Sequence, residues 1–367
     1  MQFGLSESQE ILKNSARKFF AAECPLAEVR RLMDTDSAFE PHLWSKMTEQ
    51  GYTGIIFSEE CGGVGLGIVE LVLLMEEAGR ALLPGPFFST VALAGSVLDA
   101  TASPEQKKKY LGPICRGEAR ATVAILESSA SWDPADARIA HSGQGLTGEK
   151  LFVQDAGVAD WIVVVARGEV FVVDAKARGV TIKPMHGMDL TRRLHSVAFD
   201  GTPGERLENP AGLARGLHIA TAALTGELVG GMQRTLEITV EYAKTRKQFG
   251  AAIGSFQAVQ HQAADMYLET ESSRSAAYYA GWALEEKMPD AALAVSIAKM
   301  YTSDACRTVG NRGIQIHGGM GFTWENDLHL YYRRAKASEI NLGDATFHRE
   351  RIGQMLIDAG AVSAKSA

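Results

Sequence analysis

A long run of apolar residues at helical spacing, beginning near residue 213, constrains the fold of this chain most. Six apolar residues recur at spacings of four and seven: Leu217, Leu224, Leu228, Met232, Leu236 and Val240. Because an α-helix has about 3.6 residues per turn, this spacing places them on one face. Further helices are predicted around Phe256–Met266, Ala291–Val309, Leu328–Ala337 and Phe347–Ala359. Several long amphipathic helices in succession predict a helical bundle.

The first third of the chain is also predicted to be helical. Ser6 followed by Gln9 forms a capping box ahead of an apolar stripe that starts at Ile11. A second helix is expected at Leu71–Leu83, ended by Pro84-Gly85-Pro86. The glycine-rich stretch Cys61–Gly67 follows no clear strand and no βαβ repeat, so we interpret it as a turn that needs positive φ, not a dinucleotide loop.

Between these regions the pattern changes to short β-branched segments separated by turn residues. They are Ala121–Ile125, Trp161–Ala166, Glu169–Val173, Val180–Lys183 and Ser196–Phe199. Short strands without intervening helices favour an antiparallel sheet or small barrel. The predicted fold class is therefore a multidomain α+β chain. It has an N-terminal helical domain (1–116), a middle antiparallel β domain (117–208) and a C-terminal four-helix-type bundle (209–367), whose Ala/Ser/Lys-rich end after Gly360 is expected to fray.

Composition excludes several classes of protein. The 37 basic and 44 acidic residues give a net charge of −7, which argues against a nucleic-acid partner. No apolar run approaches the ~20 residues of a membrane span, and no secretory signal is visible at the start. The four cysteines are far apart and form no CxxC pair, so neither a metal site nor a disulfide framework is predicted and a cytoplasmic location is expected.

Two short motifs carry candidate chemistry. In Arg246-Lys-Gln-Phe-Gly250, the arginine could bridge diphosphate oxygens, or it could be a cation at a helix C-terminus with Gly250 as the stop. In Gln315-Ile-His-Gly-Gly-Met-Gly321, paired glycines would let the backbone approach a ligand, or could simply end a helix. Either motif alone leaves both interpretations open.

Together, in this order, the two motifs resemble the flavin-binding segments of the acyl-CoA dehydrogenase family. Ser58–Leu66 and Tyr332–Lys336 also match family patterns, and so does the order of helical, β and helical regions. The resemblance implies FAD as cofactor and removal of two hydrogens from Cα and Cβ of an acyl-CoA thioester. A carboxylate takes the Cα proton, FAD takes a hydride from Cβ, and the electrons pass to an electron-transfer flavoprotein.

In the family, these segments of one subunit reach the adenosine-diphosphate half of FAD held mainly by a neighbouring subunit. The resemblance carries that role to seven positions of this chain: Arg246, Gln248, Phe249, Gln257, Gln315, Gly318 and Gly319.

The segments that face the flavin ring depart from the family pattern. Leu126–Trp132 stands where the family has Thr-Glu-Pro-x-x-Gly-Ser, and only the acid is kept. Phe152-Val-Gln-Asp155 replaces Trp-Ile-Thr-Asn. Gln154 could still donate a hydrogen bond to the flavin, but the usual hydroxyl is missing. Ordinary sequence drift in a divergent member is the alternative explanation.

The catalytic base is the larger departure. Leu342 stands at the usual glutamate position, and Ala220 near the position that some relatives use instead. The substitutes are Asp344, which could equally stabilise a helix N-terminus, and Glu227 on the long helix. A third acid, Glu241, is expected to face solvent or to pair with a nearby cation.

A chain that keeps the adenosine grip and lacks the base resembles the small subunit of bacterial heteromeric acyl-CoA dehydrogenases, some of which act on steroid or dicarboxylic side chains. The partner would be a homologous chain in a heterotetramer. The alternatives are a homo-oligomeric dehydrogenase with a relocated base, a catalytically silent scaffold, and another flavin reaction such as an oxygen-using one.

Overall fold

A computed structural model describes residues 4–358 of the chain. The described residues form two compact units. One contains residues 4–26, 72–82 and 221–358, and the other contains residues 27–71 and 83–220.

The α-helices follow the predicted distribution. In chain order they are α1 (Glu7–Glu23), α2 (Leu26–Met33), α3 (Pro41–Glu49), α4 (Ile68–Arg80), α5 (Ser96–Thr101), α6 (Pro104–Cys115), α7 (Leu213–Thr245), α8 (Gln257–Glu285), α9 (Ala291–His317), α10 (Leu328–Ile340) and α11 (Ala345–Gly353). The predicted C-terminal helix is confirmed as α11 with the turn Gln354–Asp358, whereas Ala359 and the tail after Gly360 lie outside the described residues.

The start of α1 lies where the predicted capping box places it. The Ser6 side chain accepts a hydrogen bond from the Gln9 backbone N–H and Gln9 answers in return, which confirms the capping box. The apolar stripe of α1 is shorter than expected because Ile11 is 62% exposed, and burial begins at Ala16 and Phe20. The helix α4 starts three residues before the predicted Leu71 and ends before the proline-rich stop.

The middle of the chain forms two four-stranded sheets. The strands are β1 (Ala121–Ala124), β2 (Ala140–Ser142), β3 (Gly145–Gln154), β4 (Trp161–Ala166), β5 (Glu169–Asp174), β6 (Val180–Met185), β7 (Leu194–Thr202) and β8 (Glu205–Arg206). The first sheet has the order β1-β4-β5-β8, and the second has the order β2-β3-β7-β6. The predicted antiparallel β domain is confirmed, with one exception: β1 pairs with β4 in parallel, Ala121 opposite Trp161.

The glycine-rich stretch is a turn, as predicted. Gly62 and Gly65 have φ values of 80° and 71°, and the preceding residues 55–57 do not form a strand. A Cβ atom on Gly63 would lie 2.1 Å from the carbonyl oxygen of Phe57, so the backbone passes too close for any other residue.

Within residues 4–358, no helix combines the length and the apolar character needed to cross a bilayer. The same residues contain no group of three or more histidine, cysteine or acidic side chains able to hold a metal ion. All four cysteines are buried and unbonded to one another.

Candidate functional site

The first motif forms a tight hairpin directly after α7. The strands β9 (Lys247–Gln248) and β10 (Ala251–Ala252) pair antiparallel around Phe249 and Gly250, whose φ values are 52° and 80°. Two successive positive φ values define a turn whose twist suits a two-residue hairpin. At this turn Phe249 is 94% exposed.

The second motif ends α9 and leaves the backbone at its glycines accessible. His317 is the last residue of the helix, and Gly318 turns the chain with φ 57° and ψ −137°, a conformation suited to glycine. A Cβ atom added at Gly318 or Gly319 would meet nothing within 4 Å, so a ligand can approach the main chain there. Gln315 is exposed one turn earlier. The helix-end interpretation is thus correct for the local structure, and it leaves room for a binding role.

A stacked pair joins the two motifs. The rings of Tyr242 and His317 lie 4.2 Å apart at an angle of 19°, and the Tyr242 hydroxyl lies 3.5 Å from the His317 carbonyl oxygen. His317 Nδ1 lies 2.8 Å from the Gly313 carbonyl oxygen and donates to it. Burial lowers the pKa of His317, although that hydrogen bond opposes the shift. Sequence reasoning did not find this contact, although both residues lie next to the motifs it used.

These residues fit the adenosine-diphosphate half of FAD. Arg246 is exposed, and no ion pair to a described carboxylate engages its guanidinium. A planar cation with several donors beside accessible glycine backbone suits a diphosphate. Gln257 is exposed at the start of α8, and Gln248 Nε2 donates to the Lys247 carbonyl oxygen at 2.7 Å. We conclude that the chemistry of this donor set matches the predicted ligand.

The strand that the family uses near the flavin ring is distorted in this chain. The pairing of β3 with β7 shifts register between Lys150 and Val153, which marks a bulge. Phe152 within it has a φ of 55° and is 43% exposed. The Gln154 side-chain oxygen is buried, and no hydrogen-bond partner for it exists among the described residues. An amide with an unmet hydrogen-bonding atom fits the polar edge of a ligand, and rotation of the amide would present its N–H2 group instead.

The acid kept from the family pattern, Glu127, has a structural role. Its carboxylate accepts a hydrogen bond from Lys150 Nζ at 2.8 Å and from the backbone N–H groups of Arg138 and Ile139. Burial would raise the pKa of Glu127, but these hydrogen bonds lower it overall. Lys150 is fully buried and also donates to the Ile125 carbonyl oxygen. The pair ties the start of the connection after β1 to β3.

Both family positions for the catalytic base carry buried apolar residues. Leu342 lies between α10 and α11, buried, with a φ of 57°. Ala220 is fully buried within α7. Neither side chain can exchange a proton.

The two substitute acids are engaged elsewhere. Asp344 is exposed, and its Oδ1 accepts a hydrogen bond from the Phe347 N–H at 2.8 Å, so it caps α11. Glu227 is buried on α7, where Oε1 lies 3.3 Å from Arg334 Nη1 and 3.4 Å from Ser338 Oγ. The third acid, Glu241, pairs with Lys244 at 2.6 Å, as predicted. These contacts favour the structural interpretation of all three acids.

Comparison with known proteins agrees with the resemblance seen in the sequence. Residues 213–357 match the model of the acyl-CoA dehydrogenase C-terminal domain, and residues 6–118 match that of the N-terminal domain. Acyl-CoA dehydrogenase IpdE2 of Mycobacterium tuberculosis is 32% identical over 333 residues, covering 90% of this chain and 92% of that protein.

Two solved structures are also similar. The Tcur3481–Tcur3483 steroid ACAD has a TM-score of 0.90 at 30% identity, covering 97% of this chain and 99% of that one. A chain of the ChsE4–ChsE5 complex from Mycobacterium tuberculosis has a TM-score of 0.89 at 29% identity, again covering 97% of this chain and 99% of that one.

Proposed function

Since this chain belongs to the acyl-CoA dehydrogenase family, we propose that it is the subunit without the catalytic base in a heteromeric, FAD-dependent acyl-CoA dehydrogenase. Membership makes it an oxidoreductase of acyl-CoA thioesters with FAD as the cofactor. The subunit role is the part that needs an experiment.

One observation carries this proposal. The residues that suit the FAD tail are exposed and unobstructed, while Leu342 and Ala220, at the two family base positions, are buried and apolar. If the chain is to act alone, another of its side chains must accept the Cα proton in place of the missing glutamate. Asp344 caps α11 and Glu227 pairs with Arg334, so neither carboxylate is available to accept that proton.

The residues of this chain would bind and orient the cofactor tail. When bound, FAD supplies the acceptor for a hydride. Arg246 would offset the diphosphate charge with two parallel donors, and the backbone at Gly318 and Gly319 would come close enough to donate N–H groups. Gln315 and Phe249 would flank the adenosine. A homologous partner subunit would contribute the carboxylate that removes the Cα proton.

The names of two similar structures support a proposal for the substrate class. One similar structure is named a steroid ACAD, and a second is a complex of two differently named chains. On that basis we propose a CoA thioester of a steroid-derived or similarly bulky acid, with electrons passing to an electron-transfer flavoprotein.

The test is to purify the chain alone and together with a homologous chain that carries a glutamate at either base position. We expect colourless or weakly flavinated, inactive protein alone, and about one FAD per unlike pair with acyl-CoA dehydrogenation in the complex. Absorbance at the flavin band, protein mass and reduction of an artificial acceptor give the three readouts.

Stoichiometric FAD and turnover by the chain alone would refute the subunit role. Asp344→Asn and Glu227→Gln would then test the alternative, a homo-oligomer with a relocated base. A chain that stays colourless and binds no thioester with any partner would instead favour a silent scaffold. Rapid reoxidation of a reduced flavin by O2 would point to an oxygen-using reaction.

A further inference from the structure

A buried lysine holds the loop that carries residue 342. Lys299 lies on α9, is fully buried, and donates from Nζ to three oxygens. These are Ser303 Oγ at 3.0 Å, the Glu339 carbonyl at 2.8 Å and the Gly343 carbonyl at 2.8 Å. An ammonium group has three N–H donors, so every donor has a partner.

Ser303 lies on α9 itself, and the other two contacts lie at the two ends of the 341–343 loop. The Glu339 carbonyl belongs to the last turn of α10, where carbonyl oxygens lack helical partners and a cation is favoured. The Gly343 carbonyl belongs to the last residue of the 341–343 loop, just before the N-cap of α11. One side chain therefore connects the end of α10 to the start of α11 across residues 341–343.

The loop has a backbone conformation that suits Gly343 and that Leu342 does not favour. Leu342 and Gly343 have φ values of 57° and 97°. A leucine in the left-handed region costs about 1–2 kcal/mol, so its surroundings must impose the conformation. The Leu342 carbonyl oxygen accepts a hydrogen bond from His348 Nε2 at 3.0 Å. A Cβ atom at position 343 would lie 2.2 Å from the Phe347 ring, which restricts that position to glycine.

We infer that Lys299 is a positioning residue that fixes the 341–343 loop so that Leu342 stays packed inside the first unit and closes the base position of this chain. The identification of position 342 as the base position rests on the proposed function, whereas the contacts that fix the loop do not. Burial lowers the pKa of Lys299 to about 8.

Cysteine accessibility at position 342 tests this inference on the chain alone. We would label the variant Leu342→Cys with N-ethylmaleimide, with and without Lys299→Met, and follow peptides by mass spectrometry. Cys24, buried in the same unit, reports global opening. Lys336→Met is the matched control, because Lys336 pairs with the Glu339 carboxylate at 3.0 Å and not with the loop.

We expect Lys299→Met to accelerate labelling at position 342 roughly ten- to hundredfold, since a lost charged hydrogen bond is worth about that factor. Cys24 should stay protected, and the control should label as the parent does. If Lys299→Met fails to fold, Ser303→Ala removes one of the three acceptors and should give a smaller acceleration.

Two results would overturn the inference. Labelling at position 342 could be unchanged in both Lys299→Met and Ser303→Ala, or it could rise only in step with Cys24, which would make Lys299 a global stabiliser. Because no partner or FAD is needed, either result leaves the proposed function untouched.

Discussion

Replacing Glu227 with glutamine separates the two roles open to this buried carboxylate. Its Oε1 lies 3.3 Å from Arg334 Nη1, and the exposed fractions of the two side chains are 2% and 4%. Removing one partner of a buried ion pair costs ~3–5 kcal/mol, because the other charge stays buried without compensation. Glutamine keeps an oxygen that can accept hydrogen bonds from Arg334 and Ser338. We therefore expect the free energy of unfolding to fall by the lower end of that range, about 3 kcal/mol.

The packing around this pair limits any relaxation. A Cβ atom at Gly79 on α4 would lie 2.0 Å from the Glu227 carbonyl oxygen, so the two helices touch backbone to backbone within the first unit. Such contact leaves little space for water or for a shifted guanidinium. The double variant Glu227→Leu/Arg334→Met removes both charges, and we expect it to be within about 2 kcal/mol of the parent.

The assay is denaturant unfolding followed by circular dichroism, together with turnover of the complex. Glu241→Gln is the control, because the pair that Glu241 forms with Lys244 is exposed, and we expect no measurable change. If Glu227→Gln unfolds as the parent does while turnover falls by about a thousandfold or more, the structural interpretation is refuted and Glu227 is the base.

Three further outcomes are expected. Arg246→Met should weaken FAD binding by the assembled complex about tenfold or more in a fluorescence titration, while Lys244→Met should not; equal losses would contradict a specific diphosphate contact. Because the pKa of His317 is lowered in the folded state, its contribution to stability is full above the ordinary value of about 6.5 and is lost as the pH falls below it. His317→Phe keeps a ring against Tyr242, so its melting temperature should fall less than the parent's between pH 7 and 5, and identical falls would count against this assignment. Asp344→Ala should reduce stability by about 0.5–2 kcal/mol by removing the helix cap, and a loss of turnover at unchanged stability would instead identify a base.

Periodicity and local capping signals predicted most of the helices. The apolar repeat of α7 and the capping box at Ser6 both depend on residues close in sequence. The helix α9 continues to His317, past the predicted end at Val309. The predicted end was too early because the glycines at 310 and 313 weaken the helical sequence pattern, although they do not break the helix. The pattern of β-branched residues does not predict β3, because its middle contains Gly148, Glu149 and Lys150; only its end, from Phe152, is expected as a strand through the family resemblance.

In the candidate site, too, features set by neighbouring residues could be predicted from the sequence, and contacts between distant residues could not. Arg246 and Gln315 can be proposed from the sequence because each motif is a local sequence pattern. The pairing of Glu227 with Arg334 and that of Lys150 with Glu127 join residues far apart in the chain, and nothing near either acid indicates its partner. A buried lysine or carboxylate contradicts the usual pattern of burial, so only the three-dimensional contacts explain why these charges lie inside.

The parallel pairing of β1 with β4 also has a consequence for the order of folding. Parallel neighbours cannot be joined by a short turn, so the chain must leave the first sheet after Ala124 and return at Trp161. That excursion contains β2 and β3, which belong to the second sheet. The pairing of β1 with β4 therefore joins residues far apart in the sequence, which raises the contact order of this region. We expect the two sheets to fold as one cooperative step, slower than the helices, and to resist being expressed apart.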